Sequence, residues 1–231
     1  MAVVIAAPAS GSGKTLLSLV LLAWARSKGL TIQPFKVGPD YLDPQLLSAT
    51  AERPCRNLDL SLCGESWVKH ALHGYGGEAE LALVEGVMGL FDGIGCSQDG
   101  STAAVAHQLS LPIVLVLNAS GQAASLAAVV KGFRDHDPRL RIAGVVLNRV
   151  STERHRELLS AVLASIDMPM LGCLPRNAAL DLPSRHLGLA PVHELKRQTS
   201  RQQQWARIAE EHLDLETFRS LLKAPVADDA P

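Results

Sequence analysis

The chain has 231 residues, with 22 Lys and Arg against 23 Asp and Glu for a net charge of −1. A length in the single-domain range leaves room for a substantial buried core, and the balanced charge excludes the global basic field that gathers nucleic acid or anionic lipid. A small-molecule partner is therefore expected, with no nucleic acid and no membrane.

In chain order, Val3 to Ala7 is an apolar run with no basic flank, broken at Pro8. It is too short for a signal peptide or a membrane span and reads as a first buried strand. Lys14 to Lys28 has helical spacing, Thr31 to Lys36 reads as the second strand, and Leu81 to Glu85 as the third. A helix over Ser101 to Leu109 leads to a strand at Ile113 to Leu117. Gln122 to Phe133 is helical, Ala143 to Leu147 is a strand, and Thr152 to Ile166 is a helix with Ser151 as its expected N-cap. Met170 to Leu174 closes the series. Strands alternating with helices predict an α/β fold, a mostly parallel sheet with helices on both faces in three layers; the abundance of Val, Leu and Ala suits strands covered on both sides.

Thr199 to Lys223 carries Trp205, Ile208, Leu213, Leu215, Phe218 and Leu221 among many charges and reads as a terminal helical segment. The expected layout is a domain over 1–197, a helical segment over 198–223 and a Pro, Ala and Asp tail over 224–231 that resembles a linker. Cys55, Cys63, Cys96 and Cys173 lack C-x-x-C spacing, which disfavours a zinc site or a disulfide framework and fits a reducing cytoplasm.

Between the first strand and the first helix lies Pro8-Ala9-Ser10-Gly11-Ser12-Gly13-Lys14-Thr15. This is the strand, glycine-rich loop and helix context of a P-loop NTPase, although the strict pattern asks for glycine where Pro8 stands. Ser10, Gly11, Ser12 and Gly13 would bring backbone N–H groups to phosphate oxygens at a helix N-terminus, Lys14 would neutralise charge, and the Thr15 hydroxyl would ligate Mg2+. ATP with Mg2+ is the expected cofactor pair.

Two acidic clusters follow strands. In Lys36-Val37-Gly38-Pro39-Asp40-Tyr41-Leu42-Asp43-Pro44, Asp40 could ligate magnesium, Lys36 could meet phosphate or a substrate carboxylate, and Asp43 could orient the substrate; a solvated turn that uses Asp as a turn former is the alternative. In Glu85-Gly86-Val87-Met88-Gly89-Leu90-Phe91-Asp92-Gly93, Glu85 ends a buried strand where P-loop proteins hold a second magnesium ligand. Glycines 86, 89 and 93 are expected to keep this loop open to a bulky ligand, with Asp92 at its far side. Here the alternatives are Glu85 as a helix cap and Asp92-Gly93 as an ordinary turn.

The strings KVGPDYLDP (Lys36 to Pro44), EGVMGLFDG (Glu85 to Gly93), GST (Gly100 to Thr102), LNRV (Leu147 to Val150), LPR (Leu174 to Arg176) and RHLGL (Arg185 to Leu189) together resemble the cobyrinic acid a,c-diamide synthase family, from Ala2 to about Leu195. The resemblance implies an amidoligase of corrinoid biosynthesis: ATP phosphorylates the c and then the a carboxylate of the corrin ring, and ammonia displaces the phosphate. It also implies that Asp40 and Glu85 serve magnesium, that Tyr41, Leu42, Asp43 and Asp92 face substrate or its acyl phosphate, and that Asn148 meets the nucleotide base. Without the resemblance, Asn148 is equally well a turn former.

Such enzymes carry a further glutaminase domain whose cysteine releases ammonia. Gly95-Cys96-Ser97-Gln98 lacks the second glycine of a nucleophile elbow, so that domain is expected to be absent here, with ammonia arriving free or from a separate partner. Self-association into a homodimer through the surface so left is a further expectation. Two rivals remain open. One is a dethiobiotin synthetase-like ligase; the other is a partitioning-type nucleotide switch, which Ala9 disfavours because that class places a lysine there. His155 and His186 fall near or within the resembling strings, but no histidine is expected to be catalytic.

Overall fold

The computed structural model describes residues 2–176 and 195–227, with backbone alone for 195–199. The chain runs β1 (Val3–Ala6), α1 (Lys14–Ser27), β2 (Ile32–Val37), α2 (Asp43–Ala51), β3 (Arg56–Leu58), α3 (Leu60–Gly77), β4 (Leu81–Glu85), α4 (Thr102–Gln108), β5 (Ile113–Asn118), α5 (Ser125–His136), β6 (Ile142–Val150), α6 (Glu153–Ala164), β7 (Met170–Pro175), α7 (Leu195–His212) and α8 (Leu215–Leu221). The seven strands form one sheet in the order β3-β2-β4-β1-β5-β6-β7, and every pairing in it is parallel. A parallel connection needs a crossover, and helices supply it, so the sheet is covered on both faces.

Two apolar cores result. On one face α1 packs with α7 and α8, joining Leu17, Leu21, Trp205, Ile208, Phe218 and Leu222 to the Ile5 and Val116 side of the strands. On the other, Val4, Phe35, Leu115 and Leu147 meet Val68, Leu72, Val105, Val130 and Leu159 of α3, α4, α5 and α6. Side chains alternate across each strand, so β1 feeds one core with Val3 and Ile5 and the other with Val4 and Ala6.

The six expected strands all form. Four features differ from expectation. The sequence pattern does not predict the α2, β3 and α3 stretch: β3 is three residues long, and α3 is two helical pieces merged across Gly64 at φ 77°. The α6 N-cap is Thr152, whose Oγ1 accepts from the His155 N–H at 3.1 Å, while Ser151 Oγ lies 3.3 Å from His155 Nδ1. Helix α5 starts at Ser125 rather than Gln122. Finally, the terminal helices share the α1 core, and the described part of the tail is docked: Ala224 N–H donates to Glu80 O at 3.0 Å and Val226 O lies 3.1 Å from His73 Nδ1. The RHLGL string, 185–189, lies outside the described residues.

Strand register aligns the acidic and basic ends of the central strands. In the β2–β4 pairing Lys36 stands opposite Glu85, and in the β1–β4 pairing Glu85 stands opposite Ile5. The C-terminal ends of three adjacent strands are thus brought to one edge, where open parallel sheets place their ligands.

Candidate functional site

The loop between β1 and α1 turns on Gly11 and Gly13, at φ 78° and 118°. Both values lie in the left-handed region that side chains rarely adopt. Gly13 is also constrained by space, because a Cβ there would stand 2.4 Å from Asn148 Nδ2. That amide donates to Ser12 O at 2.9 Å, tying the end of β6 to the loop. Ser12 Oγ donates to Ala9 O at 2.9 Å, while Ser10 and Gly11 stay exposed. Lys14 opens α1, is buried, and donates its ammonium to Met88 O. Burial, then the like charge of Lys36, lowers its pKa, with Glu85, Asp43 and Asp92 pulling the other way.

Behind the loop lies a buried ionic cluster. Thr15 Oγ1 donates to Glu85 Oε1 at 2.8 Å. Lys36 Nζ reaches Asp43 Oδ2 at 2.8 Å, Glu85 Oε1 at 2.9 Å and Asp40 Oδ2 at 3.4 Å, and donates to Gly86 O at 3.2 Å. Glu85 is fully buried. Its second oxygen, Oε2, has no hydrogen-bond partner among the described residues. Burial pushes the Glu85 carboxyl above the ordinary carboxylate range, only partly offset by Lys36, and Asp43 pushes the same way. For Lys36, burial alone would lower the ammonium, but Glu85 and Asp43 outweigh it and hold it above its ordinary value.

Two further loops close around these groups. Asp40 Oδ1 accepts from Leu42 N–H at 2.9 Å and Asp43 N–H at 3.3 Å, so the PDYLDP turn leads directly into α2. Tyr41 projects into solvent, 78% exposed, and Leu42 is half-buried. The loop over 86–93 is not held open by its glycines, which corrects the sequence expectation. A Cβ on Gly86 would meet Thr102 Oγ1 at 2.8 Å, one on Gly89 would meet Pro8 O at 2.5 Å, and one on Gly93 would meet Asp99 O at 2.6 Å. These residues are small because the backbone packs closely against its neighbours. Asp92 Oδ2 accepts from Gly89 N–H at 2.8 Å, so the carboxylate closes its own turn at an exposed position. Met88 sits at φ 44° with its carbonyl on Lys14.

Of the residues singled out in the sequence, Thr15, Lys36, Asp40, Asp43 and Glu85 meet in one cluster, with Lys14 at the start of α1 beside it and Asn148 of β6 against the phosphate loop. Tyr41 and Asp92 lie at the rim. Three positioning residues were missed. Asn57 Nδ2 donates to Gly38 O and Asp40 O, each at 2.8 Å. Thr102 Oγ1 accepts from Val87 N–H at 2.9 Å and donates to Val87 O at 3.1 Å. Ser101 Oγ caps α4 through Ala104 N–H at 3.1 Å. GST was legible as a string, but nothing in it revealed that a hydroxyl pins the loop after Glu85. Asn57 gave no signal at all.

The acids gather around an ammonium, and among the described residues no three His, Cys, Asp or Glu side chains stand together as a metal cage. Such an arrangement suits magnesium, which is commonly held by one or two carboxylates plus substrate phosphates rather than by protein alone. The orphaned Glu85 Oε2 and the Thr15 hydroxyl fit that role.

The family model described as the CobQ/CobB/MinD/ParA nucleotide binding domain matches residues 3–189. A cobyrinate a,c-diamide synthase of Gloeobacter violaceus is 46% identical, over 100% of this chain and 51% of that protein. One of Syntrophotalea carbinolica is 51% identical over 80% of this chain and 41% of that protein, and a hydrogenobyrinate a,c-diamide synthase of Streptomyces coelicolor is 50% identical over 83% and 40%. The chain spans about half the length of the curated relatives it matches. Among solved structures, a nucleotide-binding protein of Archaeoglobus fulgidus in complex with ADP superposes with a TM-score of 0.52 at 13% identity over 97% of this chain and 93% of that one. Chloroplast FtsY of Physcomitrella patens gives 0.53 at 15% over 74% and 57%. Both show a shared fold. Among the described residues, no helix is long and apolar enough to cross a membrane.

Proposed function

The chain belongs to the CobQ/CobB/MinD/ParA nucleotide-binding domain family, and from that premise we propose that it uses ATP to amidate the a and c carboxylates of cobyrinic or hydrogenobyrinic acid. The observation that carries the reading is the 2.8 Å contact between Thr15 of the phosphate loop and Glu85, which brings the triphosphate site up against the acidic cluster. The relatives named as cobyrinate and hydrogenobyrinate synthases supply the substrate class.

A carboxylate is a poor acceptor for ammonia until one oxygen becomes a leaving group. In the proposed reaction a corrinoid carboxylate oxygen attacks the γ-phosphorus and the bond to ADP breaks. Ammonia then attacks the acyl carbon, phosphate leaves with the C–O bond electrons, and the nitrogen gives up a proton as the amide forms.

Backbone N–H groups of 10–13 would hold the β-phosphate at the helix N-terminus, and the Lys14 ammonium, now on Met88 O, would turn to the transferred phosphoryl group. Asn148 lies beside the loop, where its amide would meet the nucleotide. Tyr41, Leu42, Asp43 and Asp92 would face the phosphoryl group and orient the carboxylate. Mg2+ held by Thr15, Asp40 and Glu85 would supply charge neutralisation on the phosphates. Free ammonia or a glutaminase would supply nitrogen, and the cytoplasm, where ATP is available, is the proposed compartment.

The test is magnesium- and ATP-dependent turnover with cobyrinic acid and an ammonium salt, following mono- and diamide by mass. Corrinoid-stimulated ADP release with stepwise amide formation is expected. ATP binding without any corrinoid stimulation would remove the substrate assignment and leave nucleotide binding standing.

A further inference from the structure

The cluster contains a cation already. One ammonium, 3% exposed, lies within 3.4 Å of three carboxylates, and the carboxylate it shares with Thr15 keeps a second buried oxygen without a partner among the described residues. Three acids this close would repel one another strongly if left bare.

We propose that Lys36 is the resident cation of the site: in the metal-free chain its ammonium holds Asp40, Asp43 and Glu85 together, and a divalent ion takes over Asp40 and Glu85 when the site is loaded. The inference rests on reading Thr15, Asp40 and Glu85 as a cation site. Three features support it. The backbone dictates the pairing, since Lys36 is the residue opposite Glu85 in the parallel register. Its four oxygen contacts reach both acidic loops, Asp40 and Asp43 on one side and Glu85 and Gly86 on the other. The unsatisfied Glu85 Oε2 shows that the ammonium does not exhaust the ligand set. Lys36 is thus a positioning residue, which keeps the acids assembled between rounds of cation binding.

The test compares wild type with Lys36→Met and Lys36→Gln by thermal melting in EDTA and in Mn2+ without nucleotide. Both variants should melt well below wild type in EDTA, and Mn2+ should raise their melting temperatures by about 5 °C or more while moving wild type far less. Loss of packing alone would not be repaired by a metal. Equal Mn2+ shifts in all three proteins would overturn the proposal. If a variant does not stay folded in EDTA, refolding from denaturant makes the same comparison: recovery only with Mn2+ supports the exchange, and equal failure with and without Mn2+ overturns it. Mn2+ paramagnetic resonance with ATP separates the two levels. A bound signal that Glu85→Gln leaves unchanged would sink the cation site itself, whereas a Glu85-dependent signal without rescue of the Lys36 variants would sink this inference alone.

Discussion

At the residue scale, Glu85 and Asp40 separate binding chemistry from folding. Asp40 anchors its turn through Oδ1, an acceptor that asparagine retains. Asp40→Asn should therefore melt close to wild type while cutting ATP-dependent turnover by about a hundredfold, the usual scale for removing one electrostatic partner of a reacting phosphate. A rate within about twofold of wild type would exclude Asp40 from the cation site. Gly13 provides a second, structural prediction. Alanine there would have to adopt φ 118° and displace the Asn148 amide, at a cost of about 1–3 kcal/mol. Gly13→Ala should lower both stability and nucleotide affinity, measured by chemical unfolding and by ADP titration; Gly11→Ala, in open space, should retain the Asn148 contact.

At the element scale, the turn from α5 into β6 combines a backbone hydrogen bond, Leu140 N–H to Asp137 O at 3.1 Å, with an ion pair. Arg139 grips Asp137 through both carboxylate oxygens, at 2.9 and 2.7 Å, and that hydrogen bonding, with a backbone N–H from Arg139, pulls the Asp137 pKa down to about 2 from 3.8. A depressed carboxylate stabilises the fold at pH above its unfolded value, and this contribution is lost as pH falls from about 4 through about 2. Arg139→Gln should move the Asp137 titration back toward 3.8 and remove that segment of acid sensitivity, as followed by carboxyl NMR. The opposite result, an unmoved titration, would mean that solvent around the exposed Arg139 screens the pair too well for it to matter.

Legibility also varies by element. The strands β1, β4 and β5 were readable because each is a short apolar run, almost wholly buried, and β2, β6 and β7 because apolar residues dominate them despite Gln33 and Lys36 in β2 and Asn148 and Arg149 in β6. The stretch α2–β3–α3 was not. Its strand is Arg-Asn-Leu at the sheet edge, α2 begins inside a string that reads as a turn, and α3 is broken at Gly64. The candidate site shows the same division. Lys14 and Thr15 could be read from local sequence alone, because phosphate binding needs a contiguous loop. That Lys36 faces Glu85 could not, because the pairing depends on the strand register between residues 49 apart.

At the scale of the whole molecule, the boundary expected at residue 197 falls inside α7, and the two helices beyond it complete the core on one face of the sheet. Trp205, Ile208, Ala209, Phe218 and Leu222 are all at least nine-tenths buried, in the same cluster as Leu17, Leu21 and Val116. Truncating even one such aromatic costs about 3–5 kcal/mol, and a domain has only about 5–15 kcal/mol in hand. A chain ending at 197 would expose the apolar face of α1, the helix whose first residues form the phosphate site. It should therefore lose its cooperative thermal transition and self-associate on size-exclusion chromatography, with ADP binding lost as well. Cooperative melting of the 1–197 chain within a few degrees of the full chain would instead make α7 and α8 an appendage. Trp205→Ala in the full chain gives the graded version: a loss of about 3–5 kcal/mol in denaturant unfolding, with the Lys36–Glu85 distance unchanged because that pair is set by the β2–β4 register.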